Sequence, residues 1–384
     1  MTSYINEAPR PEGVGKFESF DHVSFWVGNA KQAASYYCTR FGFNVVAYRG
    51  LETGSRDVAT WVVKQNKIIM TFSSPLSSEE SEITKELVRS GDFIRDVAFT
   101  VTDCEALYKK AVERGAVSVS APQTLKDEHG EVIVATIRSY GNINHTFVQR
   151  NNYTGAFLPG YKSIDTVDPI NTLLPYPGLD FIDHIVGNQD DDEMTPVVEW
   201  YERVLDFHRF WSVDDTQIFT EYSSLRSIVV ADYDEVIKMP INEPAAGKKK
   251  KSQIKEFCEY HGGAGVQHVA LNTDNILHAI TNLRARGVEF LFIPPKYYEN
   301  LRMRLQKSPV QIAESLDEIE KLGILVDFDD KGYLLQLFTK PVEDRPTLFF
   351  EIIQRRNLNG FGAGNFKALF ESIEREQAKR GNLD

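Results

Sequence analysis

Cysteine is scarce in this chain. Cys38, Cys104 and Cys258 are odd in number and far apart, so neither a disulfide framework nor a CxxC metal pair can be drawn from them. Also missing is any apolar run near the ~20 residues that a membrane helix needs. The opening, Met1-Thr2-Ser3-Tyr4-Ile5-Asn6-Glu7, has no apolar stretch of the secretory-leader kind. A reduced, cytoplasmic protein is the expectation. Positive charge is in deficit, with 43 Lys and Arg against 55 Asp and Glu and a net charge of -12. An acidic chain repels a phosphate backbone, which argues against nucleic acid as a partner. The one basic run, Lys248 to Lys251, follows a Pro-Ala-Ala-Gly turn signal and reads as a solvated loop. Without secretion, the N-glycosylation patterns Asn144-His145-Thr146 and Asn152-Tyr153-Thr154 are chance matches.

What the chain does have is enough material for two globular cores. Its 384 residues are 42 % hydrophobic and 26 % charged, which suits two ordinary folded domains. The 24 Phe and 16 Tyr can furnish an aromatic pocket as well.

The strongest signal is internal repetition. Asp21-His22-Val23 is echoed by Asp183-His184-Ile185, and Tyr37-Cys38-Thr39-Arg40-Phe41-Gly42-Phe43 by Tyr201-Glu202-Arg203-Val204-Leu205-Asp206-Phe207. Val97-Ala98, Arg114-Gly115 and Pro122 recur at one constant offset as Val269-Ala270, Arg286-Gly287 and Pro294. Val148-Gln149-Arg150 returns as Ile353-Gln354-Arg355. Within each half the pattern is strand, helix, strands, and then the same again. Residues 181–186, 207–213, 267–271, 333–338 and 347–353 read as strands and 199–205 as a helix. Ile276, Leu277, Ile280 and Leu283 carry helical spacing up to a stop at Gly287. A Pro-, Gly-, Asn- and Thr-rich linker, Tyr153 to Gly178, separates the halves.

This arrangement resembles the vicinal oxygen chelate superfamily. The resemblance implies an α+β fold in which tandem βαβββ modules form two open barrel-like domains. The expected boundaries are 1–155 for an N-terminal domain without a metal site, 156–178 for the linker and 179–384 for a C-terminal catalytic domain. Strands that project side chains inward at every second residue can aim ligands from distant positions at one centre.

The repeat lets the halves be compared. The second places His184, His268 and Glu351 inward, where the first has His22, Asp96 and Thr146. Two histidines and one carboxylate form the facial triad of non-haem Fe(II) oxygenases, which leaves coordination positions open. Thr146 is a poor ligand, so the first half reads as a vacated site that now serves packing or assembly.

Four segments sharpen the resemblance: Gly262-Gly263-Ala264-Gly265-Val266-Gln267-His268, Leu334 to Pro341, Asp344 to Arg355, and Gly360-Phe361-Gly362-Ala363-Gly364-Asn365-Phe366. Together they resemble the signature runs of the 4-hydroxyphenylpyruvate dioxygenase family, closest to its animal-type members, over nearly the whole chain. The resemblance implies that His184, His268 and Glu351 hold Fe(II), with O2 as co-substrate and 4-hydroxyphenylpyruvate as substrate. It places Ser227, Pro240, Asn242, Gln253, Gln267 and Gln336 in the substrate pocket, with Gln336 and Asn242 also in catalysis. Phe338, Phe349 and Phe366 fall on aromatic walls, and Asn365 and Leu369 on a closing C-terminal helix, 366–377, that acts as a lid. The implied reaction is oxidative decarboxylation, ring hydroxylation and side-chain migration to homogentisate and CO2, in tyrosine and phenylalanine catabolism. A homodimer is implied too.

Two alternatives stand beside this one. 4-Hydroxymandelate synthase uses the same substrate but tends to lose the Pro and Asn of the stretch matching Pro240-Ile241-Asn242. A non-catalytic binding module would need a broken triad. Gly360-x-Gly362-x-Gly364 lacks the GxGxxG spacing of a dinucleotide loop and reads as a hinge before the lid. Two places depart from the family pattern. Ser90-Gly91-Asp92-Phe93-Ile94 stands where a histidine and a second glycine are expected, and Ile218-Phe219-Thr220 is unusual in its middle residue.

Overall fold

The computed structural model describes residues 2–6, 13–213, 225–245 and 251–382. Lys248 to Lys250 and Ile218-Phe219-Thr220 lie outside the described residues. The strands run, in chain order, as β1 (Thr2–Ser3), β2 (Phe17–Trp26), β3 (Asn44–Arg49), β4 (Val58–Gln65), β5 (Ile68–Pro75), β6 (Phe93–Val101), β7 (Val117–Asp127), β8 (Gly130–Arg138), β9 (Asn144–Asn151), β10 (Lys162–Ser163), β11 (Ile182–Asn188), β12 (His208–Val213), β13 (Leu225–Ala231), β14 (Lys238–Pro244), β15 (Gly265–Asn272), β16 (Leu325–Phe328), β17 (Tyr333–Phe338) and β18 (Phe349–Arg356). The helices are α1 (Ala30–Phe41), α2 (Glu82–Ser90), α3 (Cys104–Glu113), α4 (Pro169–Leu173), α5 (Met194–Leu205), α6 (Gln253–His261), α7 (Ile276–Ala285), α8 (Pro295–Leu305), α9 (Leu316–Leu322) and α10 (Phe366–Arg380). None is long and apolar enough to cross a membrane.

The strands form two sheets of one topology, β10-β3-β4-β5-β2-β6-β9-β8-β7 and β1-β12-β13-β14-β11-β15-β18-β17-β16. Each holds two βαβββ modules joined antiparallel through their first strands, β2 to β6 and β11 to β15. This is the expected α+β architecture. The ends of the chain cross over, however. β1 pairs with β12 in the second sheet, and β10, inside the linker, pairs with β3 in the first. The linker is thus built into the structure and also carries α4. The expected element positions hold to within a few residues, except that α5 begins five residues before Glu199, at Met194.

Side-chain caps explain where the helices start. Asn29, Asp103, Ser252 and Asn275 each accept the backbone N–H three residues on, satisfying a donor that the first turn leaves free. Gly42 ends α1 in a left-handed conformation, and Asp206 does the same for α5 in the second half. Gln149 and Gln354, the repeated glutamines, accept from Cys104 N and Ile276 N at the starts of α3 and α7, each at 2.8 Å.

The halves share one continuous apolar core. Phe41 of the first meets Phe350 of the second at 5.1 Å, and Phe17 meets Phe207 at 5.2 Å. Repeated arginines tie the seam. Arg40 Nη1 donates to Arg286 O at 2.8 Å and Arg203 Nε to Arg114 O at 3.3 Å. Arg286 Nη1 in turn reaches Thr39 O at 2.9 Å. The three cysteines are buried and free.

His145 is buried at this seam. Its Nδ1 donates to Val97 O at 3.0 Å, which leaves Nε2 to accept from Tyr201 Oη of the second half at 2.7 Å. Burial pushes the imidazole down to about 4. The unfolded chain then binds the proton first, so His145 destabilises the fold as pH falls from the ordinary value near 6.5 toward 4, by about 1.4 kcal/mol per pH unit. Denaturant titrations at pH 7 and pH 5 should show wild type losing more stability than His145→Gln; equal losses would mean that His145 is not held neutral. Tyr201→Phe should cost roughly 1–3 kcal/mol at pH 7 by stranding the imidazole acceptor.

Candidate metal centre

Strand register brings the triad together. His184 pairs with Ala270 across β11 and β15, and Ala270 pairs with Glu351 across β15 and β18. His268 lies two residues before Ala270, on the same face. The three side chains are buried, and one ligand atom from each lies within 4.8 Å of the others. His184 Nε2 and His268 Nε2 stand 3.1 and 3.3 Å from the same Glu351 oxygen.

Two β-bulges refine the aim. Between β11 and β15 the register slips at Asp183 and again at Gln267, and the extra residue at each slip turns toward its neighbour. Asp183 Oδ1 accepts from His184 Nδ1 at 2.8 Å. Gln267 Oε1 accepts from His268 Nδ1 at 3.0 Å. Both Nε2 atoms therefore face the centre, and with their protons removed they are the tautomer that a metal requires. Arg355, the repeated arginine, donates to both oxygens of Asp183 at 2.9 and 2.8 Å. It holds the Asp183 carboxyl well below the usual carboxylate range, against burial and together with His184. Burial alone would raise Glu351, but the two imidazoles outweigh it and hold the carboxyl at about 2. For His184 too, burial opposes the charge, and Glu351 and Asp183 raise it nonetheless; at His268 burial prevails and lowers it.

The first half has the same frame without the ligands. His22 pairs with Ala98, and Ala98 with Thr146. Asp21 accepts from His22 at 2.6 Å and from Arg150 Nη2 at 3.1 Å. Thr146 spends its hydroxyl on Asp96 at 2.7 Å. Phe157, from the linker, stands edge-on to His22 with ring centroids 5.0 Å apart.

A cavity opens on the triad. Of the residues expected around the substrate, Ser227, Pro240, Asn242, Gln253, Gln267, Phe338, Phe349, Phe366 and Leu369 line it. Ser227 pairs directly with Asn242 across β13 and β14. Phe349 stacks on His268 at 4.8 Å and 19°. Apart from Glu351, no Asp, Glu, Lys or Arg is among the described residues that line it.

Gln336 and Asn365 are not among the lining residues. Gln336 shares the β17 face with Phe338 and is buried, with no hydrogen-bond partner for either amide atom among the described residues. A Cβ at Gly362 would collide with that amide, and one at Gly364 with Asp327. These glycines permit close packing, so the expected hinge is instead a tightly seated turn. Asn365 is fully buried and accepts from Tyr297 Oη at 2.7 Å, away from the cavity.

Sequence reasoning missed Phe361, whose ring is edge-on to His184 at 5.1 Å. It also missed Val186, Trp211, Leu225, Val229, Phe370 and Ile373. Phe361 lay inside a matched run. The helical spacing Phe366, Leu369, Phe370, Ile373 marks a single face, and α10 does lay that face over the cavity.

The Glyoxalase/Bleomycin resistance protein/Dioxygenase superfamily profile matches residues 19–139 and 181–337. A 4-hydroxyphenylpyruvate dioxygenase from Danio rerio is 58 % identical over 384 residues, covering 100 % of this chain and 96 % of its own. One from Dictyostelium discoideum is 59 % identical over 367 residues, covering 95 % of this chain and 100 % of its own. The chain belongs to the 4-hydroxyphenylpyruvate dioxygenase family. A solved triple mutant of 4-hydroxymandelate synthase from Streptomyces coelicolor is a more distant neighbour, at 28 % identity and a TM-score of 0.81, covering 94 % of this chain and 99 % of that one.

Asp183→Asn should weaken metal binding by about 10–100-fold, the usual effect of losing an outer partner of a ligating histidine. Anaerobic titration of the metal-free chain with Fe(II) measures it; unchanged affinity would show that Asp183 does not tune the site.

Proposed function

We infer that this protein converts 4-hydroxyphenylpyruvate and O2 to homogentisate and CO2, as a non-haem metal dioxygenase of tyrosine and phenylalanine breakdown. The observation that carries the reading is near full-length identity of 58–59 % to two dioxygenases of that name, in a chain whose cavity opens on a buried His-His-Glu cluster.

The donor set fits Fe(II): two neutral imidazoles and one carboxylate, with positions left open. We propose His184, His268 and Glu351 as its ligands. When bound, the metal supplies the O2 chemistry and a Lewis-acid anchor for the substrate.

This chain's own residues do the rest. A divalent ion with one carboxylate ligand keeps a net charge of +1. The described walls add no other full charge, so among the described residues a monoanionic 2-oxo acid finds its counter-charge at the metal. Phe338 and Phe349, with centroids 6.1 Å apart, offer faces to the phenol ring. Ser227, Asn242, Gln253 and Gln267 supply neutral donors and acceptors for the phenol and carboxylate. Phe361, Phe366, Leu369 and Phe370 keep water out. Gln336 keeps a supporting place in this proposal, its buried amide set behind Gly362 on the same strand face as Phe338.

We assign residues 1–155 to a domain without metal, 156–178 to the linker and 179–384 to the catalytic domain. A cytoplasmic homodimer completes the proposal; sedimentation of the purified chain as a monomer would remove the dimer from it.

The deciding experiment loads the chain anaerobically with Fe(II), adds O2 and 4-hydroxyphenylpyruvate, and identifies the product. Homogentisate is expected, and its absence from His268→Ala with the fold intact. 4-Hydroxymandelate would instead place the chain's chemistry with the synthase, against the presence of Pro240 and Asn242 in the wall. Gln336→Ala should lower activity by about 10–100-fold; an unchanged rate would reduce Gln336 to packing.

A further inference from the structure

The segment Ser90 to Ile94, out of step with the family pattern, lies where the halves meet. α2 and α6 hold the same place in their two halves, and their C-terminal ends face each other there. Each stops at a glycine with positive φ, Gly91 at 73° and Gly262 at 79°. The last carbonyls of a helix lack partners within it and carry partial negative charge, so two such ends in contact need a cation between them.

Two arginines supply it, one from each half. Arg89, near the end of α2, donates through Nε to Gly262 O at 2.8 Å, and through Nη2 to the same oxygen. Arg345 donates through Nη1 to Arg89 O at 2.6 Å and Tyr260 O at 3.0 Å, and through Nη2 to Val88 O at 3.2 Å. The glycines make room for them. A Cβ at Gly91 would lie 3.1 Å from Arg345 Nε, and one at Gly262 would lie 2.8 Å from Arg89 Cγ.

Arg345 sits in the turn between β17 and β18. The two ends of that turn are Phe338 and Phe349, both in the cavity wall, and Phe349 stacks on His268. Bonds from Val342 N to Leu348 O and from Thr347 N to Arg345 O close the turn on itself. They shape it without deciding where it sits. Lys340 N anchors its start to Glu289 O, and Arg345 anchors its far side to two helices at once. One of these, α6, begins at Gln253 and leads through Gly262 into Gln267 and His268, which are also wall or ligand positions.

We propose that Arg345, held by α2 of the half that lacks a metal site, is a positioning residue for the reaction: it fixes the turn that sets Phe338 and Phe349 against the metal centre. The first half thereby takes part in substrate binding without touching the substrate. The residues at the junction fit this role. Gly91 admits the arginine, and Asp92 pins the following bend by accepting from Gly28 N at 2.8 Å.

The proposal rests on 4-hydroxyphenylpyruvate as the substrate, and its test separates the two. The full chain, loaded with Fe(II), is compared with Arg345→Met, Arg345→Lys and Arg89→Met. Arg345→Met should raise KM for 4-hydroxyphenylpyruvate by about tenfold, because displaced walls misplace the bound ring, while kcat changes by less than about threefold. Arg345→Lys, which keeps the charge but loses the fork, should recover part of the effect. Arg89→Met should act in the same direction more weakly. Amide hydrogen exchange of residues 339–348 should quicken in Arg345→Met, with the thermal midpoint and iron content nearly unchanged. The proposal fails if KM and exchange stay at wild-type values. It fails equally if kcat, iron content and thermal midpoint all fall together, which is the mark of a purely structural staple. Should wild type make no homogentisate, the substrate reading falls, and the exchange data alone then judge whether Arg345 fixes the turn.

Discussion

Burying Glu351 as a carboxylate carries a desolvation cost on the order of several kcal/mol. The chain has few ways to offset it. The two imidazoles within 3.3 Å are the main one, and they can serve only if both present Nε2. That requirement propagates outward. Asp183 and Gln267 must hold the Nδ1 atoms, so each must stand beside its histidine on one face of a strand that would otherwise alternate faces. The bulges at these two residues meet the need. Asp183, buried in turn, needs its own counter-charge, and Arg355 provides it. A run of local choices along β11, β15 and β18 thus follows from placing one negative charge in a dry cavity.

The first half shows which parts of this frame are separable from chemistry. It keeps the bulge at Asp21, the aspartate–histidine pair and the arginine behind it. The register gives another bulge at Arg95, the position that corresponds to Gln267 in the repeat. Thr146 stands in place of the terminal carboxylate and donates to Asp96, the buried carboxyl at the position of His268, and Phe157 stands against His22. A buried aspartate bound to an arginine is costly to break and tends to persist once packed. The frame outlives the ligands because it also holds the sheet together.

The duplication, the histidine pair and the terminal carboxylate could be read in the sequence because each leaves a mark at fixed spacing. Asp-His-Val and Asp-His-Ile, or Val-Gln-Arg and Ile-Gln-Arg, are visible by comparison of the halves. Other features could not be read. A bulge has no residue signature of its own; Gln267 beside His268 looks like ordinary alternation until the strand partner is known. Phe361 reaches His184 through a turn whose path depends on Gly362 packing against Gln336. For the same reason Gln336 and Asn365, which the resemblance puts at the substrate, are not among the residues that line the cavity. β1 pairing with β12 joins the start of the chain to its second half, a contact between residues too distant in sequence for any local pattern to reveal.

Charge selects the ligand as firmly as shape does. A cavity with no full charge among its described wall residues other than Glu351 would hold a free carboxylate poorly, since an unpaired ion in such a place is far less stable than in water. A dianion would overshoot the +1 left at a divalent centre, and a neutral ligand would leave it uncompensated. A monoanionic chelator would bring the site to neutrality, and its aromatic end would then have Phe338 and Phe349 beside it, with amides and a hydroxyl to satisfy a phenol. The same neutrality suits a pocket closed by α10 with Phe366, Leu369, Phe370 and Ile373: with no net charge inside, apolar cover costs the complex far less in desolvation than it would over an unpaired ion.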